Sequence, residues 1–554
     1  MFSRAQRGLI LLVLLVSFLP CGSQEQTSVV VEGSVSNKLT GSPVKGAHVI
    51  YTRLASGPVQ AASPISSDTD PQGRFRLDLS PGSYRLWVER QGFVRQSYGS
   101  HAPDGPSSVL SVTPGEELHD IAFRMTPLGA ISGRVIDEDG EPVQGVGVQV
   151  LRMSYNSGLP QLTFVGGSTS DDRGEYRCYE LPAGRYSILA TCKGSPLSHP
   201  VEQGALVPEV QDAYIPIYYP GAAEFDAATP VVLPEGGDVS DINIPLQRIR
   251  ATSVTGRLLS PRKLVPNEFQ VLLARNEHGT ASFVGRTPAV VDSATGRFEV
   301  TGAAPGSYIL VASQFSGGQV FSARAPIEIR AGVPPEHITL SLTPAVELGG
   351  NVSMEDGSAP PPGLVLHLSP LEGIFPGLRP ESKIAADGNI RLTGVSPGSW
   401  ALSLQHLPEG FWIKTVSLGD AQMPYGMLTL QSGGAGPLSI VLSRDGAAVS
   451  GIVDANGQPH AGTVVLAPLA AELRHSPQAY RAVSASESGS FVLKGVPPGK
   501  YRLFAFETVI RDAPLDPEVL GNVKDMGQTV SLAAGETATL RLTLIPYEAT
   551  LPAR

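Results

Sequence analysis

Five times the chain runs a short alternation of apolar and polar residues into a turn ending in glycine, then out into a second alternation. The lines are "GRFRLDLSPGSYRLWV" from Gly73, "GEYRCYELPAGRYSILA" from Gly174, "GRFEVTGAAPGSYILVA" from Gly296, "GNIRLTGVSPGSWALSL" from Gly388 and "GSFVLKGVPPGKYRLFAF" from Gly489. Period two puts Phe75, Leu77, Tyr84, Leu86 and Val88 on one side in the first copy. It does the same for Phe491, Leu493, Tyr501, Leu503 and Ala505 in the fifth. Apolar residues at every second position predict strands with one buried face. The turn glycines Gly82, Gly184, Gly306, Gly398 and Gly499 recur at intervals of 92 to 122 residues. Such intervals exceed a solenoid repeat and suit one small domain per copy.

Each line sits inside a longer template. A Gly-x-Val strand opens it: "VEGSVSNKLTGSPVKGAHVIY" from Val31, "ISGRVIDEDGEPVQGVGVQVL" from Ile131, "VSGIVDANGQPHAGTVVLAP" from Val449. Weaker versions are "VTGRLLS" from Val254 and "LGGNVSMEDG" from Leu348. Asp-Gly, Asn-Gly and Thr-Gly turns follow, where glycine supplies positive φ. A last alternation closes the copy, as in "TPGEELHDIAFRMTP" from Thr113 and "LAAGETATLRLTLIP" from Leu532. About seven short strands in roughly 100 residues make an antiparallel β-sandwich. The expected fold is all-β, with five tandem antiparallel β-sandwich domains after a signal peptide. The expected units are 24–127, 128–247, 248–345, 346–445 and 446–546, between a leader of residues 1–23 and a tail of residues 547–554. The junctions near Thr126, Leu246, Leu342 and Ser443 are short, and few contacts are expected to cross them.

The run "GRVIDEDGEPVQGVGVQV … DDRGEYRCYELPAGRYSILA" resembles the carboxypeptidase regulatory-like domain. That resemblance implies a prealbumin-like (transthyretin-like) sandwich, grouped with carbohydrate-binding-like folds and close in shape to Cna B-type repeats. It extends over nearly all of the chain after the leader, and is weaker where the third and fourth copies begin. The family motif is structural and implies no catalytic residues. Cna B-type domains often carry Lys–Asn cross-links, but the first strands at 31–35, 131–135 and 449–453 contain no lysine.

Composition changes the picture in two ways. Glycine (61) and proline (48) make nearly a fifth of the 554 residues, a density that suits many turns between short strands. Net charge is −10 with no cluster of Lys and Arg, so the electrostatic footprint of a nucleic-acid binder is missing. At the N-terminus, Arg4 and Arg7 precede an eleven-residue apolar run, Leu9 to Leu19, and small residues follow at Cys21 and Ser23. This reads as a secretory signal peptide cut after Ser23, leaving no transmembrane span and placing the mature chain in the periplasm or outside a bacterial cell. Cys21 offers a lipoprotein alternative, although Pro20 stands where a lipobox wants Gly or Ala.

Catalytic patterns are few. His199/Glu202 and His406/Glu409 match His-x-x-Glu, but each spans a proline in a loop and lacks a third ligand. "GVSPG" (Gly394 to Gly398) fits a nucleophile elbow, yet Pro397 has no N–H for an oxyanion hole. "DTDPQG" from Asp68 and "DEDG" from Asp137 are turn sequences that need no calcium. Asn351 begins a glycosylation sequon that matters only in a eukaryotic secretory pathway. No catalytic, metal or cofactor-binding residues are assigned, and no cofactor.

Two cysteines follow the leader. Cys178 takes the core slot held elsewhere by Leu77, Val300, Leu392 and Leu493. A disulfide to Cys192 is out of reach if the two strands form a hairpin, and within reach if they belong to opposite sheets.

One segment departs from the template. "VQDAYIPIYYPGAAEFDAATPV", Val210 to Val231, gathers Tyr214, Tyr218, Tyr219 and Phe225 among prolines. It is expected to lie as a loop or edge over one sandwich face. Its rings are the candidate ligand-binding residues, with packing over the sandwich end as the alternative. The expected function is a non-catalytic secreted binding or scaffold protein, with glycan as the ligand class its fold suggests. The alternative is an accessory protein docking a secreted peptidase or outer-membrane complex through a strand edge.

Overall fold

The computed structural model of the chain describes residues 28–550 apart from 55–63, 101–102, 106, 157–158, 193–211, 251, 278–279, 282–286, 304, 331–332, 334–336, 372–379, 432–433, 435, 471–472, 474–478, 487 and 508–516. The leader, Cys21, His199 and Glu202 lie outside the described residues.

The first stretch sets the pattern. Its strands are β1 (Val29–Asn37), β2 (His48–Arg53), β3 (Ile65–Asp68), β4 (Arg74–Leu79), β5 (Gly82–Glu89), β6 (Gln96–Ser97), β7 (Val109–Val112) and β8 (Leu118–Met125). One sheet has the order β4-β1-β8; the other runs β3-β2-β5, with β6 and β7 both on β5. The two alternations flanking Gly82 therefore belong to opposite sheets, and the turn between them carries the chain across the end of the sandwich. The ten residues expected to face inward in the first and fifth copies are all at most 5% exposed.

The pattern recurs with first strands at Gly129–Ile136, Thr252–Leu259, Val346–Met354 and Ala447–Ala455. Each pairs antiparallel with the strand that carries the inward aromatic or isoleucine, at Tyr176, Phe298, Ile390 or Phe491. The main buried clusters lie within residues 29–125, 131–246, 254–342, 348–442 and 447–542. Two smaller clusters sit inside the second and third of these stretches, and a third overlaps the last and reaches Ile545.

One feature differs from an all-antiparallel sandwich. In every stretch the closing strand runs parallel to the first: β8 on β1, Asp238–Val239 and Ile244–Pro245 on Gly129–Ile136, Ile338–Ser341 on Thr252–Leu259, Leu438–Ser443 on Val346–Met354, and Thr537–Ile545 on Ala447–Ala455. The closing strand arrives from the opposite sheet, so direction is set by the path of the chain. Apolar alternation reads the same in either direction.

The opening glycine follows from that pairing. A Cβ on Gly33 would lie 2.0 Å from the Ile121 carbonyl oxygen. The corresponding distances are 2.1 Å for Gly133 to Ile242, 2.3 Å for Gly256 to Ile338, 2.0 Å for Gly350 to Leu438 and 1.9 Å for Gly451 to Leu540. No real side chain fits there, so the position admits only glycine. Gly349, next door in the same strand, has open space around its missing Cβ and no positive φ.

The repeated aromatic has an equally local cause. Tyr84 donates its hydroxyl to the Ser80 carbonyl at 2.7 Å, Tyr186 to Pro182 at 2.6 Å, and Tyr501 to Pro497 at 2.9 Å. In the fourth stretch the Trp400 indole N–H donates to Ser396 at 3.0 Å. An aromatic body fills the core while its polar tip satisfies a carbonyl of the crossing turn four residues back. Burial pushes the Tyr186 and Tyr501 hydroxyls up to about 12, so both remain donors at any ordinary pH. In the third stretch Tyr308 accepts from Arg275 Nε at 3.4 Å, and the residue four before it lies outside the described residues.

Adjacent glycines give a direct check. Gly350→Ala should destabilise by about 2–4 kcal/mol through the carbonyl clash, whereas Gly349→Ala should be near neutral. Denaturant unfolding of the two variants measures the difference, and equal stabilities would contradict the steric account.

Candidate functional site

The tyrosine-rich insert is built into the second sandwich. Asp212–Tyr214 pairs with Arg248–Arg250, and Ile217–Tyr218 adds to the edge of Gly184–Cys192. Along Gly184–Cys192, Ile188 and Ala190 face the main core and Leu189 faces the other way. Tyr218 joins Leu189, Leu151 and Leu162 in a small second core on that outer face, where it is 2% exposed. Its ring meets Phe225 edge to face with centroids 5.7 Å apart. Tyr219 packs against the main core, and its N–H donates to the Ile188 carbonyl at 2.9 Å. Tyr214 is half-buried: its hydroxyl accepts from Arg248 Nε at 3.0 Å, and the guanidinium lies 5.1 Å from its ring centroid.

The four rings therefore do not share one open platform, as a binding role had suggested. Tyr218 is closed off by its own packing, because this sheet has a second apolar face that something must cover. Exposed aromatics lie elsewhere in the same stretch: Phe164 is 59% exposed and Tyr179 65%. Tyr179 was legible as the outward neighbour of core Cys178, but a single outward ring carried no signal beside a run of four.

Cys178 is fully buried and a free thiol, pushed up to about 11 by burial. Its strand, Glu175–Leu181, and that of Cys192 lie in different sheets, which removes the hairpin alternative. The Cys192 side chain lies outside the described residues. His406 is exposed with φ 59°, and Glu409 pairs with Lys494 at 3.3 Å. The "GVSPG" segment is the corner turn whose Ser396 carbonyl receives Trp400. Asp70 and Asp137 each accept two backbone N–H groups of their own turns. Among the described residues, no three His, Cys, Asp or Glu side chains gather as metal ligands would.

A polar cluster occupies the end of the fourth sandwich. Ser443 Oγ lies 2.7 Å from Glu355 Oε2 and 2.5 Å from Asp445 Oδ1. The Trp412 indole N–H donates to Asp445 Oδ1 at 2.9 Å, and Lys414 Nζ pairs with Glu355. Hydrogen bonds from Lys414 and then Ser443 hold the Glu355 carboxyl below its ordinary range; Ser443 and then Trp412 do the same for Asp445. Farther up the chain, a cleft of about 370 Å³ lies between Ser322–Ala325 and Thr339–Ser341 on one side and Pro397–Gly398 on the other.

Comparison with known proteins agrees with this architecture. Residues 30–125 and 130–208 each match the carboxypeptidase regulatory-like domain family, and both stretches are domains of that kind. No curated protein matches the chain. Among solved structures, a streptococcal ancillary pilin is 13% identical, covering 57% of this chain and 99% of its own, with a TM-score of 0.19. The minor pilin GBS52 of Streptococcus agalactiae is 13% identical over 40% of this chain and 96% of its own, with a TM-score of 0.20. The Bacillus anthracis TIE protein is 12% identical over 76% of this chain and 75% of its own, with a TM-score of 0.16. Superpositions this loose carry nothing about function.

Two expectations follow. Tyr218→Ala with Tyr219→Ala should lower the melting temperature sharply, since emptying a buried aromatic site costs about 3–5 kcal/mol. Tyr214→Ala should change stability far less, and the reverse order would return the insert to the role of a binding surface. For the polar cluster, a depressed carboxyl pKa in the folded protein stabilises above the ordinary value and is lost as pH falls through the depressed one. The stability advantage of the parent over Glu355→Gln should therefore be present at pH 7 and shrink as the pH falls below the ordinary carboxylate range toward strong acid. Melting curves between those limits measure it.

Proposed function

We propose that the chain is a secreted, non-catalytic binding and scaffold protein made of five tandem sandwich domains, with glycan as its ligand class. Separate buried clusters that end or begin close to Thr126, Leu246, Leu342 and Ser443 support this division into five units. The observation that carries the binding role is the pair of exposed rings on the second unit, Phe164 and Tyr179, on the consecutive strands Leu159–Thr169 and Glu175–Leu181 that edge its two different sheets. Flat rings of this kind stack on sugars, and a strand framework holds them with little loss of freedom on binding. The N-terminal leader supports export. No membrane-spanning helix occurs among the described residues.

A second reading, docking of a partner protein, is favoured by the cleft beside Arg324. There Ile338–Ser341 ends its sheet with no strand on its outer side among the described residues. An open edge of that kind accepts an extended segment by strand addition. A glycan array and a pull-down on the purified chain, repeated with Phe164→Ala plus Tyr179→Ala, separate the two. Loss of glycan signal at unchanged melting temperature supports the first reading. Capture of a protein partner that the double variant leaves intact supports the second, and retained glycan binding removes these rings from the site.

A further inference from the structure

Two of the four junctions are closed by the same piece of sequence. After its fifth strand the first unit reads Gln91-Gly92-Phe93, and the fourth reads Glu409-Gly410-Phe411. Gly92 and Gly410 share a left-handed conformation, with φ of 82° and 88°. In the first case the loop is laced to the linker. Leu128 N–H donates to the Gly92 carbonyl and Val94 N–H to the Thr126 carbonyl, both at 2.8 Å. Gln91 then reaches the next unit, where its amide donates to Glu180 Oε1 at 3.1 Å. Glu180, with φ 59°, sits at an irregularity in strand Glu175–Leu181, between the register positions of Cys178 and Leu181.

The second case repeats this geometry. Gly495 occupies the equivalent irregularity in Ser490–Val496, with φ 67°, and a Cβ there would stand 2.5 Å from the Phe411 carbonyl. Glu409, in the place of Gln91, pairs with Lys494. The linker is pinned as well: the Arg444 guanidinium lies 5.2 Å from the Phe411 ring centroid, and Asp445 holds Trp412. Gly446 is pressed so close that a Cβ on it would be 2.6 Å from Gly495 Cα. These contacts overturn, at Thr126 and Ser443, the expectation that little crosses the junctions.

The third unit lacks the loop. Its fifth strand, Gly306–Ser316, turns back at Gly317 and Gly318 into Gln319–Ile329. In the fourth unit the matching irregularity holds Gly394, with φ 75° and nothing within 4 Å of its missing Cβ. Where the first–second and fourth–fifth junctions are filled, this one holds the 370 Å³ cleft.

We infer that the x-Gly-Phe loop is the interdomain lock of this chain. It fuses the first and second units into one rigid body and the fourth and fifth into another, and leaves the junction of the third and fourth, where the cleft lies, without that lock and able to hinge. The inference rests on the division into five units, and on no assumption about the ligand.

Spin-label distance distributions on the full chain test it. Cys21→Ser and Cys192→Ser remove reactive thiols, while Cys178 is buried. Exposed label pairs are Arg74→Cys with Arg173→Cys, Lys383→Cys with Ser490→Cys, and Arg297→Cys with Lys383→Cys; Lys383→Cys with Thr429→Cys is a control within the fourth unit. The first two pairs should be as narrow as the control, and the third broader. Phe411→Ala, or Gly495→Ala as a wedge outside the fourth unit's core, should widen only the pair across the fourth and fifth units. A distribution for that pair as broad as the one across the third and fourth units, or one that neither variant widens, overturns the lock. A broad control pair would instead sink the division into units, and the lock with it.

Discussion

The architecture depends on one close approach, the carbonyl of the closing strand crossing the glycine of the first strand. At that point the strands of a sandwich end are joined in parallel, and there is no room for a single methyl group. An aromatic from the neighbouring strand fills the same space in three of the stretches: ring atoms of Phe75, Phe298 and Phe491 lie within 2.4–3.0 Å of where the Cβ would be. The glycine therefore admits both a backbone and a ring. With the first strand held between its two partners, the inward faces of both sheets meet as one core, and the crossing turn is tied down by the aromatic tip that donates to it.

Around that recurring frame, the stretches differ in what covers their outer faces. In the second, the sheet containing Leu151 and Leu189 is apolar on both sides, and Tyr218, Phe225 and the residues around them seal it. In the fifth, Val465, Phe504 and Phe506 form the corresponding surface, covered by Val523 and Leu520 near the short helix Pro517–Asn522. Apolar area left open on this scale would favour association, so a two-faced sheet and its cover arise together. Tyr218 and Phe225 belong to this second layer, while Tyr214 and Tyr219 pack against the main core.

The junctions carry the remaining individuality. Loops that leave the fifth strand decide whether a unit grips its successor, and a glycine in left-handed conformation lets the chain turn tightly enough to do so. The carboxylates of Glu355 and Asp445 lie beside one such grip, which couples charge to the position of the linker. In the proposed scaffold, units joined by such a loop keep their exposed rings and strand edges in fixed relative positions.

Much of this could be read from residues alone. Period-two alternation identified the inward set in the first and fifth copies, because a strand has only two faces and one residue decides the rest. The recurring glycine-turn-aromatic spacing marked each core entry, since the hydrogen bond it serves spans only four residues. Other features needed the tertiary structure. The parallel closing strand joins segments about 90 residues apart whose pattern is the same in either direction. The burial of Tyr218 required knowing that Leu189, on a strand read as one-sided, opens onto a second apolar face. Cys178 and Cys192 had the same parity along the chain but lie in different sheets, and parity cannot tell one sheet from another. Local sequence determined which way each side chain points within its strand; only the packing of distant strands decided what lies opposite.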